Sequence, residues 1–503
     1  MSRLDPEFLA LPLESLRSAA LERATSLGCT HAELRVERIR SQAVSLRDAK
    51  VETTADDVEL GMGIRVVHDG VIGFAATAEL NPQAAAELAE QATALAVAVS
   101  AAATERVELA QEPGVGEVEW TSEFEIDPTT VPLSDKVALL EAWSSRVLQA
   151  PGVDHVTTYV LAVTEDKHYA DMSGTVTNQR RVRVHPVLEA LAVNATTGEF
   201  ETMRTVAPPV GRGWEYLEGR GGWDPDAELG ELPELLATKS AAPSVEPGLY
   251  DLVIHPSNLY LTIHESIGHA TELDRALGYE AAYAGTSFAT FDKLGTLEYG
   301  SEIMNITGDR TTPHGLATVG YDDEGVASQA FDIVRNGILV GYQLDRRMAA
   351  ANGFERSNGC AFADSPFHVP IQRMANVSHM PNQSEGPTTD ELISSTDRGI
   401  YIVGDKSWSI DMQRHNFQFT GQRFFLIDKG RLKGQLKDVA YQARTTDFWG
   451  SMDGVGGRST YVLGGAFNCG KGQPGQVAPV SHGCPTVRFR QVNVLNTRAE
   501  AGR

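Results

Sequence analysis

The residues best suited to chemistry in this 503-residue chain are His264, Glu265 and His269. They lie in His264-Glu265-Ser266-Ile267-Gly268-His269, two imidazoles and one carboxylate within a short stretch. Those are the parts of a hydrolytic zinc site, in which neutral imidazoles hold the metal and a carboxylate handles the protons of a water. At this composition chance supplies about 0.04 such His-acid-x-x-x-His patterns, so the motif stands above background. In the familiar His-Glu-x-x-His arrangement the imidazoles sit about 40° apart around a helix axis. Here the spacing is five, which a regular helix would splay by about 140°. The spacing therefore predicts a break, a π-type widening or an unwinding between the histidines, with Gly268 in a bulge or an unusual φ/ψ.

The flanking residues supply elements able to hold the motif. Tyr250-Asp251-Leu252-Val253-Ile254 reads as a buried strand, followed by Pro256-Ser257-Asn258, where Ser257 or Asn258 is placed to cap a helix. Leu259, Leu261, Ile263, Ile267 and Ala270 form an apolar helical segment through the motif, and Gly278 lies beyond it as a stop. The alternative is a helix whose histidines are only hydrogen-bonded at a surface. A catalytic zinc takes three protein ligands and keeps one position for water. Three residues compete for the third place. Cys469, in Phe467-Asn468-Cys469-Gly470-Lys471-Gly472, ranks first, because glycine flexibility and the nearby Lys471 favour a thiolate. Glu272 ranks second, and Cys484, in Ser481-His482-Gly483-Cys484-Pro485, also competes. An inert, half-buried thiol is the plainer fate of either cysteine.

Length and composition limit what surrounds this motif. A chain of 503 residues exceeds one ordinary core, so two domains are expected. Hydrophobic content of 42% with 22% charged residues describes a soluble globular protein, and a net charge of −24 argues against a nucleic-acid partner. No apolar run is long enough to span a membrane, and the start (Met1 to Glu7) lacks an h-region. Cys29, Cys360, Cys469 and Cys484 show no paired spacing, so reduced thiols and a cytoplasmic location are expected.

Along the chain the expected fold class is α+β. Residues 14–27 read as a helix, and strands alternate from His31 to about Ala78 with a hairpin turn at Gly70. Asn81-Pro82 starts a helix to about Ala103, and Ser134 caps another that runs to Leu148. A second β-rich run spans Val156 to Ala207. This is an antiparallel sheet with covering helices, and nothing in it looks catalytic. Pro233 to Pro247 has linker composition, which divides the chain into 1–240 and a β-rich 241–503 carrying the metal-site helix. Gly399–Val403 and Phe424–Ile427 are among the β-like segments of that second part. His314, His368, His379 and His415 read as solvated or hydrogen-bonded side chains.

Taken together, the His-Glu-x-x-x-His motif with Glu272 and Asp274, then Tyr321-Asp322-Asp323-Glu324-Gly325, then Asn468-Cys469-Gly470-Lys471 resemble the TldD/PmbA (TldE) family of zinc metallopeptidases, and its catalytic TldD-type subunit in particular. The resemblance implies a zinc held by His264, His269 and Cys469, with Glu265 as the base. It also implies an unfolded peptide bound as an added β-strand, small peptides or peptide-derived natural-product precursors among them. A PmbA/TldE-like paralogue as heterodimer partner, or a second copy of the chain, would close the site. Asp322, Asp323 and Glu324 would position substrate backbone, unless they form only an acidic turn between strands. His482 and Cys484 depart from the family pattern and mark a local variation. A peptide-binding modulator with a structural metal is the competing function, and Glu265 separates the two, because a structural site needs no base.

Overall fold

The computed structural model describes residues 4–194, 198–381, 385–472 and 474–501. The first half is built on a seven-stranded sheet. Its order is Val71–Thr77, Lys50–His68, His31–Arg47, His155–Asp171, Thr175–Val193, Gly116–Thr121, with Phe200–Arg204 added beside Thr175–Val193. All neighbours are antiparallel except Gly116–Thr121, which runs parallel to Thr175–Val193. The separate stretches expected between His31 and Ala78 merge into strands of 17 and 19 residues, His31–Arg47 and Lys50–His68, that form one long hairpin. Asp48 and Ala49 close it with φ of 50° and 58°. The turn is held because the Asp48 carboxylate accepts from Val156 N at 2.9 Å and pairs with His155. The turn at Gly70 falls where expected, between Lys50–His68 and Val71–Thr77.

Helices cover one face of this sheet. Leu13–Ser26 and Pro82–Val99 bury Leu16, Ala20, Ala24, Ala85, Leu88 and Ala92 against Leu34 and Ile64. Asn81 caps the second of them through Ala84 N at 2.9 Å. Leu133–Leu148 starts at Pro132, not under the expected cap Ser134, whose hydroxyl turns to Asp135 instead. The stretch read as a linker from Pro233 is also different, since Pro233 to Ser240 end a helix, Pro225–Ser240. Asp224 caps it through Ala227 N, and Leu229, Leu232 and Leu236 form its buried stripe. That i, i+3, i+7 spacing outweighs the breaker at Pro233.

The second half closes a ring of strands. Arg398–Ile410, Gly248–Ile254, Val487–Asn496, Val439–Arg444 and Asn416–Asp428 pair in that order, and Asn416–Asp428 pairs back onto Arg398–Ile410. Gly399–Val403 and Phe424–Ile427 meet inside this ring, Ile400 opposite Leu426. A four-stranded sheet and a two-stranded ribbon, Val462–Lys471 with Gln476–Cys484, pack beside it. Among the described residues no helix is long and apolar enough to cross a membrane.

The other face of the first sheet carries charge, and it is buried. Along His31–Arg47 the apolar Ala32, Leu34 and Val36 face the helices, while Glu33, Arg35 and Glu37 alternate with them and point the other way. Asp322-Asp323-Glu324-Gly325 docks on that charged face. Lys167 Nζ lies 2.7 Å from Asp323, 3.2 Å from Glu37 and 3.3 Å from Glu165. Arg65 pairs with Glu33 at 2.8 Å and with Glu324 at 2.7 Å, and Arg346 N donates to the other Glu324 oxygen. Asp322 accepts from Glu324 N, Val326 N and Ala361 N. Gly325 has φ of +75°, and a Cβ there would meet the Tyr169 ring at 2.6 Å. Every carboxylate oxygen of the acidic turn thus has a structural partner, so of its two readings the turn is the one the contacts support.

Lys167→Met leaves Asp323, Glu37 and Glu165 buried around a lost cation. Destabilisation of about 3–5 kcal/mol is expected, read by urea denaturation, and Lys167→Met/Asp323→Leu is expected to recover part of it.

Candidate metal centre

The motif begins where the strand Gly248–Ile254 hands over to a helix, Pro256–Ile263. His255 is the N-cap, not Ser257 or Asn258, because Pro256 takes the first helical position, where a missing N–H costs nothing. The His255 ring accepts from Ser257 N at 3.1 Å. Asn258 is used elsewhere: its amide donates to Gly404 O and Thr420 O, both at 2.9 Å, and ties the helix to the strand ring. Leu259, Leu261, Ile263, Ile267 and Ala270 are all buried, as their spacing implied.

Between the histidines the α-helix gives way to a π-turn over His264–Gly268, and a 3₁₀ turn follows over His269–Thr271. His269 N donates to His264 O, so the bond that closes the wide turn stacks the two ligand positions over one another. Their ring centroids are 4.8 Å apart. Widening a helix strands carbonyls, and buried side chains collect them. Tyr299 OH donates to Ser266 O, while Gln343 Nε2 donates to Gly268 O at 2.7 Å. Of the two expectations for Gly268, a bulge or an unusual φ/ψ, the first holds: it lies in the widened turn, with helical φ of −51° and ψ of −62°. Its smallness serves packing: a Cβ there would lie 2.5 Å from Met374 Sδ and 3.6 Å from His482 Cε1. Gly278 stops the short helix Leu273–Ala276 at φ +91°.

The third member comes from the ribbon. Strand Val462–Lys471 slips register between Ala466 and Cys469, and past that bulge Cys469 Sγ lies 3.5 Å from His269 Nε2. Ligand atoms of His264, His269 and Cys469 all fall within 4.8 Å of one another, and all three residues are buried. Burial alone would raise the Cys469 thiol, but His269 and His264 outweigh it and hold it well below the usual range, in the thiolate form that binds metals. Burial would likewise lower His269, yet the facing thiolate lifts it to about 9. Lys471 is not the cation responsible. Its ammonium lies 2.7 Å from Asp274 and 3.1 Å from Glu272, spent on carboxylates.

The other two candidates for the third place do different work. Glu272 accepts from His269 Nδ1 at 2.9 Å and so orients the ring from behind. Cys484 turns its thiol toward Pro256 O, and burial pushes it above the usual thiol range. His482, two residues away, is the residue the sequence flagged without a role. Its Nδ1 lies 2.7 Å from Val377 O, an acceptor only, so that nitrogen carries the proton. Nε2 of His482 is then a lone pair, and it lies 2.7 Å from His264 Nδ1. His264 must donate through Nδ1, which leaves its Nε2 free as a ligand atom. Both imidazoles are thereby fixed in tautomer and orientation, His264 by His482 and His269 by Glu272. A thiolate, the free Nε2 of His264, the Nε2 of His269 once it gives up the proton it shares with the thiolate, and a dry setting fit a borderline-soft divalent metal.

Glu265 projects beside the cluster, buried, with Arg414 on its Oε2. Burial works against its ionisation, but His264, His269 and Arg414 hold it below the usual carboxylate range. Arg414 carries no motif in the sequence. His314, His368, His379 and His415 stay outside the cluster, hydrogen-bonded to Gly211 O, Asp364, Met380 O and Arg444 respectively.

An α+β chain with a buried His/His/Cys donor set that could hold a metal, and a glutamate nearby, has the residue types of a metallohydrolase site. It belongs to the PmbA/TldD family of metallopeptidases: the family's C-terminal domain model (PmbA/TldA metallopeptidase C-terminal domain) matches residues 247–496, and that of domain 1 matches residues 32–96. A Methanothermobacter thermautotrophicus protein named a metalloprotease is 28% identical over 470 residues, covering 93% of this chain and 96% of that one. A Saccharolobus solfataricus protein named a zinc metalloprotease TldD homolog is 24% identical over 273 residues, 54% of this chain and 57% of that one. In fold the chain is similar to the crystal structure of TldE from Thermococcus kodakarensis, with a TM-score of 0.69 at 17% identity over 95% of this chain and 99% of that one.

His482→Ala removes the acceptor that sets the His264 tautomer, and about a 10–100-fold loss of metal affinity is expected, measured by competition with a chelating dye. His482→Gln, whose amide can still accept from His264 and donate to Val377, is expected to keep most of it.

Proposed function

We propose that this chain is a zinc-dependent peptidase that hydrolyses small unfolded peptides, peptide-derived natural-product precursors among them, and that it corresponds to the active TldD-type subunit of its family. The observation that carries this reading is the buried Glu265 beside the His264/His269/Cys469 cluster, since a structural metal would need no such carboxylate. Bound zinc would supply a Lewis acid for the peptide carbonyl and lower the pKa of a water. Glu265 would take the proton from the attacking water and pass it to the leaving amine. His482 and Glu272 would keep the ligand rings in place throughout.

The peptide is proposed to add as a strand beside Val462–Lys471. Among the described residues that strand pairs with one neighbour only, Gln476–Cys484, and it carries Cys469, so a peptide on its other edge would run past the metal. Main-chain hydrogen bonds would then give most of the affinity, with weak side-chain preference. A TldE-like paralogue, or a second copy, is proposed to cover the site. Exposed Met412 and Trp408 on the hairpin that carries Arg414, and Tyr283 against Gly472, offer it an apolar rim.

Glu265→Gln is expected to keep stoichiometric zinc while cleavage of an unstructured peptide falls about 10²–10⁴-fold. Zinc retained with cleavage intact would remove Glu265 as the base, and a zinc-loaded wild type that cleaves no peptide would mean that the metal is structural.

A further inference from the structure

The turn that joins Arg398–Ile410 to Asn416–Asp428 is more tightly built than a connection requires. Asp411 accepts from Gln413 N, His415 N and Asn416 N, and from the Asn416 amide. The turn is also pinned to the motif side of the protein: Phe288 N donates to Gln413 O, Thr286 N to Met412 O, and Phe288 stacks on His415 at 5.2 Å. Within it Arg414 has φ of +63°. That left-handed region costs an arginine where glycine or asparagine would enter cheaply. The backbone gives no reason for arginine at this position, so the reason must lie in its side chain.

That side chain crosses to the metal cluster and pairs with Glu265 Oε2 through Nη1. It is 13% exposed, and its buried Nε–H has no acceptor among the described residues. An unmet donor on a buried cation, beside the proposed base, is costly unless something else fills it. Extending the peptidase reading, on which this rests, we propose that Arg414 is a catalytic residue. Its guanidinium holds Glu265 by one oxygen, leaving Oε1 to meet the water, and its remaining N–H groups bind the carbonyl oxygen of the scissile peptide as charge gathers there. The water oxygen bonds to the carbonyl carbon and its proton passes to Glu265. The C–N bond then breaks, the electron pair on the oxygen returns to the carbonyl, and Glu265 delivers the proton to the departing amine. Arg414 gains and loses no proton, and acts by charge and by geometry.

The test uses the zinc-loaded full chain with Arg414→Asn, which keeps a residue tolerant of the left-handed backbone, and Arg414→Lys. Zinc content, cleavage of oxidised insulin B chain and calorimetric binding of a phosphinic tetrapeptide, which mimics the tetrahedral oxygen, are measured together. In Arg414→Asn zinc is expected to stay stoichiometric with KM little changed, while kcat and phosphinate affinity each fall about 10²–10³-fold. Added guanidinium at sub-denaturing concentration is expected to restore part of kcat. Wild-type kcat and phosphinate affinity in Arg414→Asn, or loss of zinc in step with loss of kcat, would overturn the assignment and leave the peptidase reading standing. An inert zinc-loaded wild type would remove both.

Discussion

One extra residue between two histidines governs the second half. Two imidazoles five positions apart cannot meet one metal from an α-helix, so the helix opens into a π-turn at His264–Gly268. That opening frees backbone carbonyls in a dry interior, and each needs a donor. Tyr299 and Gln343 supply them, and Gln343 also donates through its own backbone to Thr271 O while its side-chain oxygen accepts from Ala375 N. The segments around Tyr299, Gln343 and Ala375, far apart in sequence, are thereby fastened to the motif. The widened turn also brings Gly268 so close to Met374 and His482 that no side chain fits, and this places the second imidazole layer within reach of the first.

Electrostatics organises the remainder in two layers. At the cluster, a thiolate faces imidazoles, and two ion pairs stand close by: Glu272 with Lys471 behind His269, and Glu265 with Arg414 to the side. Farther away, the charged face of the long-stranded sheet meets the acidic turn. Both layers place ions where water is scarce, and in both nearly every ion has a counterpart of opposite sign. Removing one member would therefore strand its partners rather than simply weaken a contact.

Much of the site was legible in the sequence, because its main constraint is local. The spacing of His264 and His269 demanded a non-α step, and residue chemistry ranked Cys469 first among the third ligands. What could not be read was anything set by tertiary contact. Ser257 as helix cap fails because Pro256 claims the first turn. Lys471 looked like the cation that activates Cys469, yet two acids reached only through folding absorb its charge. Pro233 hid a helix whose stripe of Leu229, Leu232 and Leu236 was present in the pattern all along. The paired histidines of the site, 218 residues apart, left no local mark. Arg414 could not be found either, since its signal is a backbone angle. In the first half the strands were visible as alternation, but alternation of Glu33, Arg35 and Glu37 with Ala32, Leu34 and Val36 reads as a solvated face, and only packing shows that both faces are buried.

The charged face bears on how such a protein could diversify. An apolar interface tolerates sliding, since one methyl group substitutes for another at little cost. A sheet of fixed ions facing a turn of fixed ions has one alignment, and a shift of a single residue would confront like charges. The two halves are therefore matched as a lock is to its key. Recombination between relatives that exchanged one half without the Tyr321–Gly325 turn would join two sound pieces that refuse to seat. Genes of this lineage are expected to inherit the sheet and the turn as one unit of heredity, even while loops around the metal drift.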